Sequence, residues 1–266
     1  MLDQITPLII TLDEAANLER TLNQLRWAPR IVVVDSGSTD GTLEIVSRFP
    51  QAQVFYRAFD TSAAQCNFGL EQIRTDWVLS LDADYELSDD LIAELRRLSD
   101  TIGLDGYRAS FVYRIHGFPL SGSLYPPRAV LYRVASAHYV DEGHTQRVAI
   151  AGRVGDLHAP IYHDDRKPLS RWIASQQRYA RLEADHLLSA SKHRLTWANR
   201  VRLAVYPAPL LVLPYVLLRK GCIRDGWPGW LYALQRLFAE TMIALELIDR
   251  RLRNSAEPSA ETGEQS

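Results

Sequence analysis

Strand-like apolar runs alternate with helical patterns through the first eighty residues, and this repetition constrains the fold more than any other feature. Repeated strand–helix units predict a parallel sheet with helices on both faces. The carboxyl ends of such strands lie at one edge of the sheet, where ligands bind. The strand patterns cover Pro7–Ile10, Ile31–Val34, Gln53–Tyr56 and Trp77–Leu81, and the helical patterns cover Ala15–Leu25, Leu43–Phe49 and Ala63–Ile73.

Three polar loops follow these strands, at Thr11–Glu14, Asp35–Gly41 and Asp82–Asp84. Because the strands are predicted to be parallel, we expect the loops to converge on one crevice. Two carboxylates one residue apart, at Asp82 and Asp84, concentrate negative charge at the end of a buried strand. Carboxylate oxygens are preferred ligands of Mg²⁺ and Mn²⁺, so the pattern indicates a divalent cation site. A solvated strand end is the alternative.

Composition excludes several classes of protein. With 266 residues, 47% of them hydrophobic, the chain is long enough to bury a core of its own. The formal net charge of -2 gives no electrostatic reason to expect nucleic acid as a partner. Cys66 and Cys222 lie far apart, so neither a disulfide framework nor a cysteine zinc site is predicted, and a reducing cytosol is expected. The N-terminus lacks the pattern of a secretory signal, and the protein is expected to start at Met1.

The second half of the chain has a looser pattern. Strands at Tyr107–Ile115, Ala129–Val134 and Arg147–Ile150 are interpreted as an antiparallel extension of the sheet. Ser170–Ser189 is predicted to form a long helix. The tail, Asn254–Ser266, is rich in Ser, Glu and Gly and is predicted to be disordered.

Leu203–Leu218 is strongly apolar but contains three prolines and is shorter than the roughly 20 residues that span a bilayer. Trp227 and Trp230 follow it, and basic residues flank it. The segment is therefore interpreted as an element lying in a membrane surface, within a membrane-binding region Leu203–Leu245. A helical hairpin packed as core is the alternative.

The loop motifs also carry a family resemblance. Thr11-Leu12-Asp13-Glu14, Val33-Val34-Asp35-Ser36-Gly37-Ser38-Thr39-Asp40-Gly41-Thr42 and Leu81-Asp82-Ala83-Asp84 resemble the motifs of family 2 glycosyltransferases of the GT-A fold. The resemblance implies a nucleotide-sugar donor bound with Mn²⁺ or Mg²⁺. It also implies an α/β fold, Rossmann-like, with a mostly parallel sheet, helices on both faces and a C-terminal helical membrane-proximal extension.

Several residue roles follow from this resemblance. Asp35 is expected to accept a hydrogen bond from the donor base, Asp82 to lie near the ribose or metal, and Asp84 to hold the metal. Thr11, Leu12 and Glu14 are expected to border the nucleoside. Asp13 and Leu12 depart from the family pattern, which usually has Asn and often an aromatic residue at these positions.

Three further residues of the first half have competing interpretations. Asp40 precedes a helix and is interpreted as a capping residue. Asn67, within Gln65-Cys66-Asn67-Phe68-Gly69, either faces the donor or bonds a loop backbone. Cys66 is interpreted as a small buried residue because the sequence shows no partner base for a nucleophile.

The resemblance also extends to an acceptor half. Glu142, in Tyr139-Val140-Asp141-Glu142-Gly143-His144, is expected to be the general base, with Asp141 as the second candidate. His163 is a candidate third metal ligand, or else a structural histidine. Arg128 or Arg133 is expected to bind phosphate, Arg128 by a bidentate contact.

Tyr215–Gly226 resembles a motif of bacterial lipopolysaccharide core β-glucosyltransferases. The resemblance implies an inverting enzyme that moves a hexose, expected from a UDP-sugar, to a hydroxyl of a lipid-linked or lipopolysaccharide-core glycan at the cytoplasmic face of the bacterial plasma membrane. A polyprenyl-phosphate glycosyltransferase and a non-catalytic membrane scaffold are the alternatives. The expected domains are a nucleotide-sugar half at 1–100, an acceptor half at 101–168, a helical extension at 169–253 and the tail at 254–266.

Overall fold

The computed structural model describes residues 1–98, 103–142, 145–191 and 195–256, with the backbone alone at Glu142, Thr145 and Ala256. It divides the chain into two compact units, Met1–Lys167 and Pro168–Ser266. Each unit is built from a different kind of secondary structure: the first is a mixed α/β unit and the second is helical.

The first unit is built on a seven-stranded sheet with the strand order β12-β6-β9-β4-β1-β2-β3. The helices α1 to α4 connect or follow its strands. The strands are β1 (Ile5–Thr11), β2 (Ile31–Asp35), β3 (Ala52–Tyr56), β4 (Trp77–Asp82), β6 (Gly106–Ala109), β9 (Arg128–Arg133) and β12 (Val154–Asp156), and the helices are α1 (Leu18–Asn23), α2 (Thr42–Ser47), α3 (Ser62–Glu71) and α4 (Asp89–Arg97).

The predicted parallel arrangement is confirmed in the first half. β1 pairs in parallel with both β2 and β4, and β2 pairs in parallel with β3. All five residues of β2 are buried because helices cover both faces of this part of the sheet. Leu8 and Ile9 on β1 are likewise fully buried, one in the core of each face. This double burial explains why these strands read as continuous apolar runs.

Helix α3 lies unusually close to the sheet. A Cβ built on Gly69 would come 2.5 Å from Leu8 Cδ1 and 3.2 Å from Val34 Cγ2. Glycine therefore permits a contact that any side chain would obstruct. The glycine of the sequence motif at residues 65–69 has a packing role, and it fixes the distance between α3 and the strands beneath it.

The predicted strand Tyr107–Ile115 is wrong in one respect. It divides at Ser110 into β6, in the main sheet, and β7 (Phe111–Ile115), in a second sheet with the order β5-β13-β7-β8. The predicted antiparallel extension is confirmed for the strand at Ala129–Val134, since β9 runs antiparallel to β4 and β6. It is wrong for Arg147–Ile150, which lies in a separate two-stranded sheet because its neighbour is the strand just before it in the chain. The other strands of the second sheet are β5 (Tyr85–Leu87), β8 (Phe118–Pro119) and β13 (Ile161–His163), and β10 (Ala137–Glu142) pairs with β11 (Thr145–Ile150).

The second unit contains α5 (Leu169–Ser189), α6 (Trp197–Leu203), α7 (Pro207–Pro214) and α8 (Gly226–Ala256). Arg202 of α6 joins three of these helices, because its guanidinium bonds Glu183 of α5 at 3.1 Å and Glu240 of α8 at 2.6 Å. Asn254, Ser255 and Ala256 are helical, which corrects the predicted disorder there. The remainder of the predicted disordered tail, 257–266, lies outside the described residues.

The apolar segment predicted at Leu203–Leu218 forms several short helical elements. Pro207 and Pro209 lie in the first turn of α7, where a backbone N–H has no partner within the helix, and Pro214 is the last residue of α7. A π-helical turn at Tyr215–Arg219 follows. Within the described parts of the chain, no helix combines the length and the apolar character that crossing a bilayer requires.

Candidate functional site

The loops after β1 and β2 are bonded to each other at the carboxyl edge of the sheet. The Asp13 N–H donates to Ser38 Oγ at 2.8 Å, and the Thr39 N–H donates to Asp13 Oδ1 at 2.7 Å. Asp13 has a φ of 54°, a left-handed conformation in which Asn and Asp are enriched. Asp13, which stands where the family usually has Asn, therefore adopts the same left-handed backbone conformation that Asn tolerates.

Asp35 lies at the end of β2 and is only 2% exposed. Its Oδ2 accepts from the N–H groups of Gly37 at 2.8 Å and Ser38 at 2.9 Å. Its Oδ1 accepts from Thr11 Oγ1 at 3.1 Å and from Ser38 Oγ. A carboxylate has about four acceptor positions, so the loop already occupies them. A hydrogen bond from a donor base to Asp35 therefore requires the rotatable Ser38 hydroxyl to give up its place.

Asp40 behaves as the predicted capping residue. Its Oδ1 accepts from the Thr42 N–H at 2.9 Å, in the first turn of α2, and its Oδ2 accepts from the Ala15 N–H at 3.1 Å. The first bond satisfies an exposed donor of the helix. The second joins the β2 loop to the β1 loop, so Asp40 also fixes the wall of the crevice.

Glu14 is held by a contact that the sequence interpretation missed. Lys167 Nζ lies 2.6 Å from Glu14 Oε1, and the Asn17 side-chain amide donates to Glu14 Oε2 at 3.0 Å. Burial raises the pKa of Glu14, and the Lys167 charge only partly offsets this effect. The signal for Lys167 was the charged run Asp164–Lys167 immediately after His163. The nearby Leu12 is 40% exposed.

Asp84 and His163 meet directly, although 79 residues separate them in the chain. His163 Nε2 donates to Asp84 Oδ2 at 3.1 Å, and both side chains are 13% exposed. Burial opposes ionisation of Asp84, but the His163 charge and hydrogen bond hold the pKa of Asp84 below its ordinary value. Burial and the Asp84 charge raise the pKa of Asp82. One strand end therefore carries an ionised carboxylate beside a second carboxylate whose pKa the nearby Arg128 charge only partly lowers.

The pair has the donor chemistry of a divalent metal site. Neighbouring ligands of an octahedral ion at about 2.1 Å lie about 3 Å apart, close to the 3.1 Å between Asp84 Oδ2 and His163 Nε2. His163 Nδ1 is buried without a hydrogen-bond partner, so the ring is not otherwise committed. Over the ranges that the structure describes, His, Cys, Asp and Glu side chains form no group of three or more able to hold an ion. Asp84 and His163 thus fit as two protein ligands, and Asp82 lies outside such a set.

Aromatic side chains surround His163. Its ring centroid lies 4.6 Å from that of Tyr113, 4.7 Å from that of Tyr125 and 5.2 Å from that of Tyr85. The hydroxyls of Tyr85 and Tyr125 are hydrogen-bonded to each other. These tyrosines were missed from the sequence, although Tyr85 directly follows Asp84. They orient the imidazole and lower the dielectric constant around the carboxylates.

The structure separates the two arginines that the sequence left as alternatives. Arg128 starts β9, lies 4.8 Å above the Tyr125 ring and is close enough to Asp82 for their charges to interact. Arg133 ends the same strand and lies 4.8 Å above the ring of Trp77, which starts β4. Because β4 and β9 are antiparallel, Arg133 is at the opposite edge of the sheet from Asp82. Arg128 is therefore the arginine at the site.

Asn67 bonds the backbone of another segment, which was the second of its two interpretations from the sequence. Its amide nitrogen donates to the Tyr139 carbonyl at 3.0 Å, and its amide oxygen accepts from the Tyr139 N–H at 2.9 Å. Both polar atoms of Asn67 thus hold β10 against α3. Burial, followed by the charges of Asp82 and Asp141, raises the pKa of Cys66 to about 12, in agreement with its interpretation as a buried residue rather than a nucleophile.

The two candidate bases lie at the end of β10. Asp141 Oδ1 accepts from the Ala63 N–H at 3.1 Å, in the first turn of α3, so this carboxylate caps a helix. Glu142 is the last residue of the strand and pairs with Thr145. The side chain of Glu142 and the whole of His144 lie outside the described residues.

Comparison with known proteins agrees with this geometry. Residues 8–138 match the model of glycosyl transferase family 2. The chain is 27% identical to the lipopolysaccharide core biosynthesis glycosyltransferase LpsC of Rhizobium meliloti, over 92% of each protein. It is 34% identical to the uncharacterized glycosyltransferase RP128 of Rickettsia prowazekii, over 40% of this chain and 36% of that protein.

A solved structure supports the same assignment at the level of the fold. The mannosyltransferase PcManGT from Pyrobaculum calidifontis, in complex with GDP-Man and Mn²⁺, superposes with a TM-score of 0.55 at 17% identity. The match covers 96% of this chain and 88% of that one. The sheet order, the polar loops at its carboxyl edge and the matched sequence model agree with one another. Residues 8–138 are therefore a glycosyl transferase family 2 domain, and the chain has the GT-A fold.

Proposed function

We propose that this glycosyltransferase is a metal-dependent, inverting enzyme that moves a hexose from a nucleotide-diphosphate sugar to a hydroxyl group. The observation that carries the proposal is the contact between Asp84 and His163 at the carboxyl end of β4, beside Asp82. Such a site supplies ligands for a cation and leaves its remaining positions for diphosphate oxygens. A bound Mn²⁺ or Mg²⁺ would supply positive charge that stabilises the leaving diphosphate.

The nucleoside is expected to lie along the loops that follow β1 and β2. Thr11, Leu12 and Glu14 border this region, and Asp35 is the acceptor for a base N–H once the Ser38 hydroxyl rotates away. Asp82 is expected near the ribose. Arg128 is expected to contact a phosphate group, because its planar guanidinium donates two parallel hydrogen bonds. A UDP-sugar is the expected donor, and a GDP-sugar is the second candidate, because the structurally similar PcManGT was solved in complex with GDP-Man.

Inversion requires direct displacement at the anomeric carbon. The acceptor oxygen forms its bond to that carbon as the bond to the diphosphate oxygen breaks, and a carboxylate on the acceptor side takes the hydroxyl proton. Glu142 is the proposed base. Asp141 is less suited, since its carboxylate already accepts a hydrogen bond from the first turn of α3.

The acceptor is proposed to be a lipid-linked or lipopolysaccharide-core glycan at the inner face of the bacterial plasma membrane. The support is the similarity to LpsC, a lipopolysaccharide core biosynthesis glycosyltransferase that aligns over 92% of both chains. The alignment therefore includes helical segments beyond the catalytic sheet. Turnover with a panel of UDP- and GDP-sugars, followed as slow donor hydrolysis, identifies the donor without knowledge of the acceptor.

Calorimetry with UDP and GDP tests the metal site. With Mn²⁺ present, the wild-type chain should bind its nucleotide at least about tenfold more tightly than in EDTA, because the cation offsets repulsion between diphosphate and carboxylates. Asp84→Asn should lose this metal-dependent part. Asp90→Asn, which removes an exposed carboxylate from the first turn of α4, is the matched control and should retain it. Equal affinity in EDTA, or full activity of Asp84→Asn, contradicts the proposal.

A further inference from the structure

The helix α7 and the turn after it expose apolar side chains along one face. Tyr206 is 74% exposed, Leu210 73%, Leu211 53%, Tyr215 46% and Leu218 68%. We call these five residues the apolar stripe. Their spacing of four, one, four and three residues places them on one side of the helical segment.

The opposite side of the same segment is apolar as well, and it is buried. Ala208, Val212, Val216 and Leu217 are less than 9% exposed and face the interior of the second unit. The segment is therefore not an ordinary amphipathic surface helix, whose outer side is polar. Single exposed leucines are common on proteins, but a row of this kind marks an interaction surface.

The charge around the stripe identifies its partner. Residues 200–224 contain five Lys or Arg residues and no Asp or Glu, and one of the five, Arg202, is paired with Glu183 and Glu240. Arg219 and Lys220 directly follow the stripe, and Trp227, 86% exposed, lies beyond them. An apolar row edged by tyrosine, tryptophan and basic side chains matches the boundary between acyl chains and anionic headgroups. A second copy of the chain fits less well, because a two-fold contact would bring the same cations together.

We propose that the apolar stripe inserts into the surface of an anionic lipid membrane, with Arg219 and Lys220 bonding lipid phosphates. Insertion is shallow, as for an interfacial helix, and needs no membrane-spanning segment. The inference adds to the proposed function a residue-level membrane contact. It is independent of the sugar chemistry, since vesicle binding is measured without donor or acceptor.

Vesicle flotation of the full chain tests the proposal, with vesicles of phosphatidylcholine alone or mixed with phosphatidylglycerol. The wild-type chain should float with the mixed vesicles at low salt. Leu210→Ser with Leu218→Ser should lower the partition coefficient at least about tenfold, because two inserted side chains lose apolar contact. Leu182→Ser with Leu188→Ser removes two leucines of α5 that are 43% and 45% exposed, and this control should bind as the wild type does.

A second pair of variants tests the charge. Arg219→Gln with Lys220→Gln should weaken binding to the anionic vesicles about tenfold or more and leave binding to neutral vesicles unchanged. Arg96→Gln with Arg97→Gln makes the same change of net charge at the end of α4 and should have no effect. High salt should reproduce the loss in the wild type.

Three results would overturn the proposal. The first is a wild-type chain that stays soluble with anionic vesicles at low salt. The second is an equal loss of vesicle binding in the α5 control, Leu182→Ser with Leu188→Ser. The third is a concentration-dependent dimer that Leu210→Ser with Leu218→Ser abolishes while flotation stays unchanged. Circular dichroism and nucleotide calorimetry on each variant separate these results from misfolding. Failure of the glycosyltransfer proposal would appear in donor binding and hydrolysis and leave flotation unchanged.

Discussion

Asp35 ends β2 and Asp84 follows β4, two strands of the same sheet that β1 separates. Their hydrogen bonds suit them to different roles. Each carboxylate oxygen of Asp35 accepts two hydrogen bonds. Oδ2 accepts from the Gly37 and Ser38 N–H groups, and Oδ1 accepts from the Thr11 and Ser38 hydroxyls. Asp84 is hydrogen-bonded to His163. Histidine is a common metal ligand, and the Nδ1 atom of His163 has no hydrogen-bond partner. Asp35 therefore organises the crevice, whereas Asp84 has the chemistry to bind an ion within it.

The choice of general base gives the residue-scale prediction. Glu142→Gln should keep nucleotide affinity and lose about a hundredfold to ten-thousandfold in turnover, since the neutral amide cannot take the acceptor proton. Asp141→Asn keeps a side-chain oxygen that can accept from the Ala63 N–H, so it should affect turnover much less. Single-turnover rates with a saturating donor distinguish the two variants. The reverse order of effects would assign the base to Asp141.

The individual site residues were only partly predictable. Asp82, Asp84 and Asp35 stand in short local motifs, so the sequence alone could mark them as candidates. Lys167 and the tyrosines around His163 contribute through contacts between distant segments, and no local periodicity encodes such contacts. For Asn67 the motif left two roles open, a contact with the donor and a bond to the backbone. The two hydrogen bonds of its side chain to the Tyr139 backbone favour the second role.

At the scale of elements, the contact between α3 and β1 gives a stability prediction. Gly69→Ala should lower the free energy of unfolding by about 1–3 kcal/mol, because its Cβ would overlap the fully buried Leu8 side chain. Gly41→Ala is the matched control, since a Cβ there meets its nearest atom, the Ala15 Cβ, at 3.8 Å. Urea unfolding measures both. Equal losses would mean that the close approach of α3 is not what glycine supplies.

Elements were predicted best where burial is uniform. The strand at Ile31–Val34 and its parallel neighbour β1 followed from continuous apolar runs with polar ends. The division of Tyr107–Ile115 was missed because both strands have the same apolar pattern, and the change of sheet at Ser110 depends on which neighbours each strand finds. The helical conformation of Asn254–Ala256 was missed because these residues are mostly polar. They continue a helix whose buried contacts, such as Ala244 and Leu247, lie in its earlier turns.

At the scale of the whole molecule, the residues of the proposed nucleotide site lie in Met1–Lys167 and the apolar stripe lies in the second unit. Ligands of the two surfaces should therefore protect different parts of the chain against hydrogen exchange. Nucleotide with Mn²⁺ at a hundred times its Kd contributes about 2.7 kcal/mol to the unit that binds it. The slowest amides of β1, β2 and β4 should then exchange about a hundredfold more slowly, while those of α5 and α8 stay unchanged.

Anionic vesicles should give the opposite pattern, with protection at α7 and the π-helical turn and none at the central strands. Two variants make the comparison decisive. Asp84→Asn should lose the metal-dependent protection by nucleotide and keep the protection by vesicles, whereas Leu210→Ser with Leu218→Ser should do the reverse. Equal protection of α5 and α8 by nucleotide would show that the units unfold together as one cooperative whole, because ligand linkage then stabilises every amide that exchanges through global unfolding.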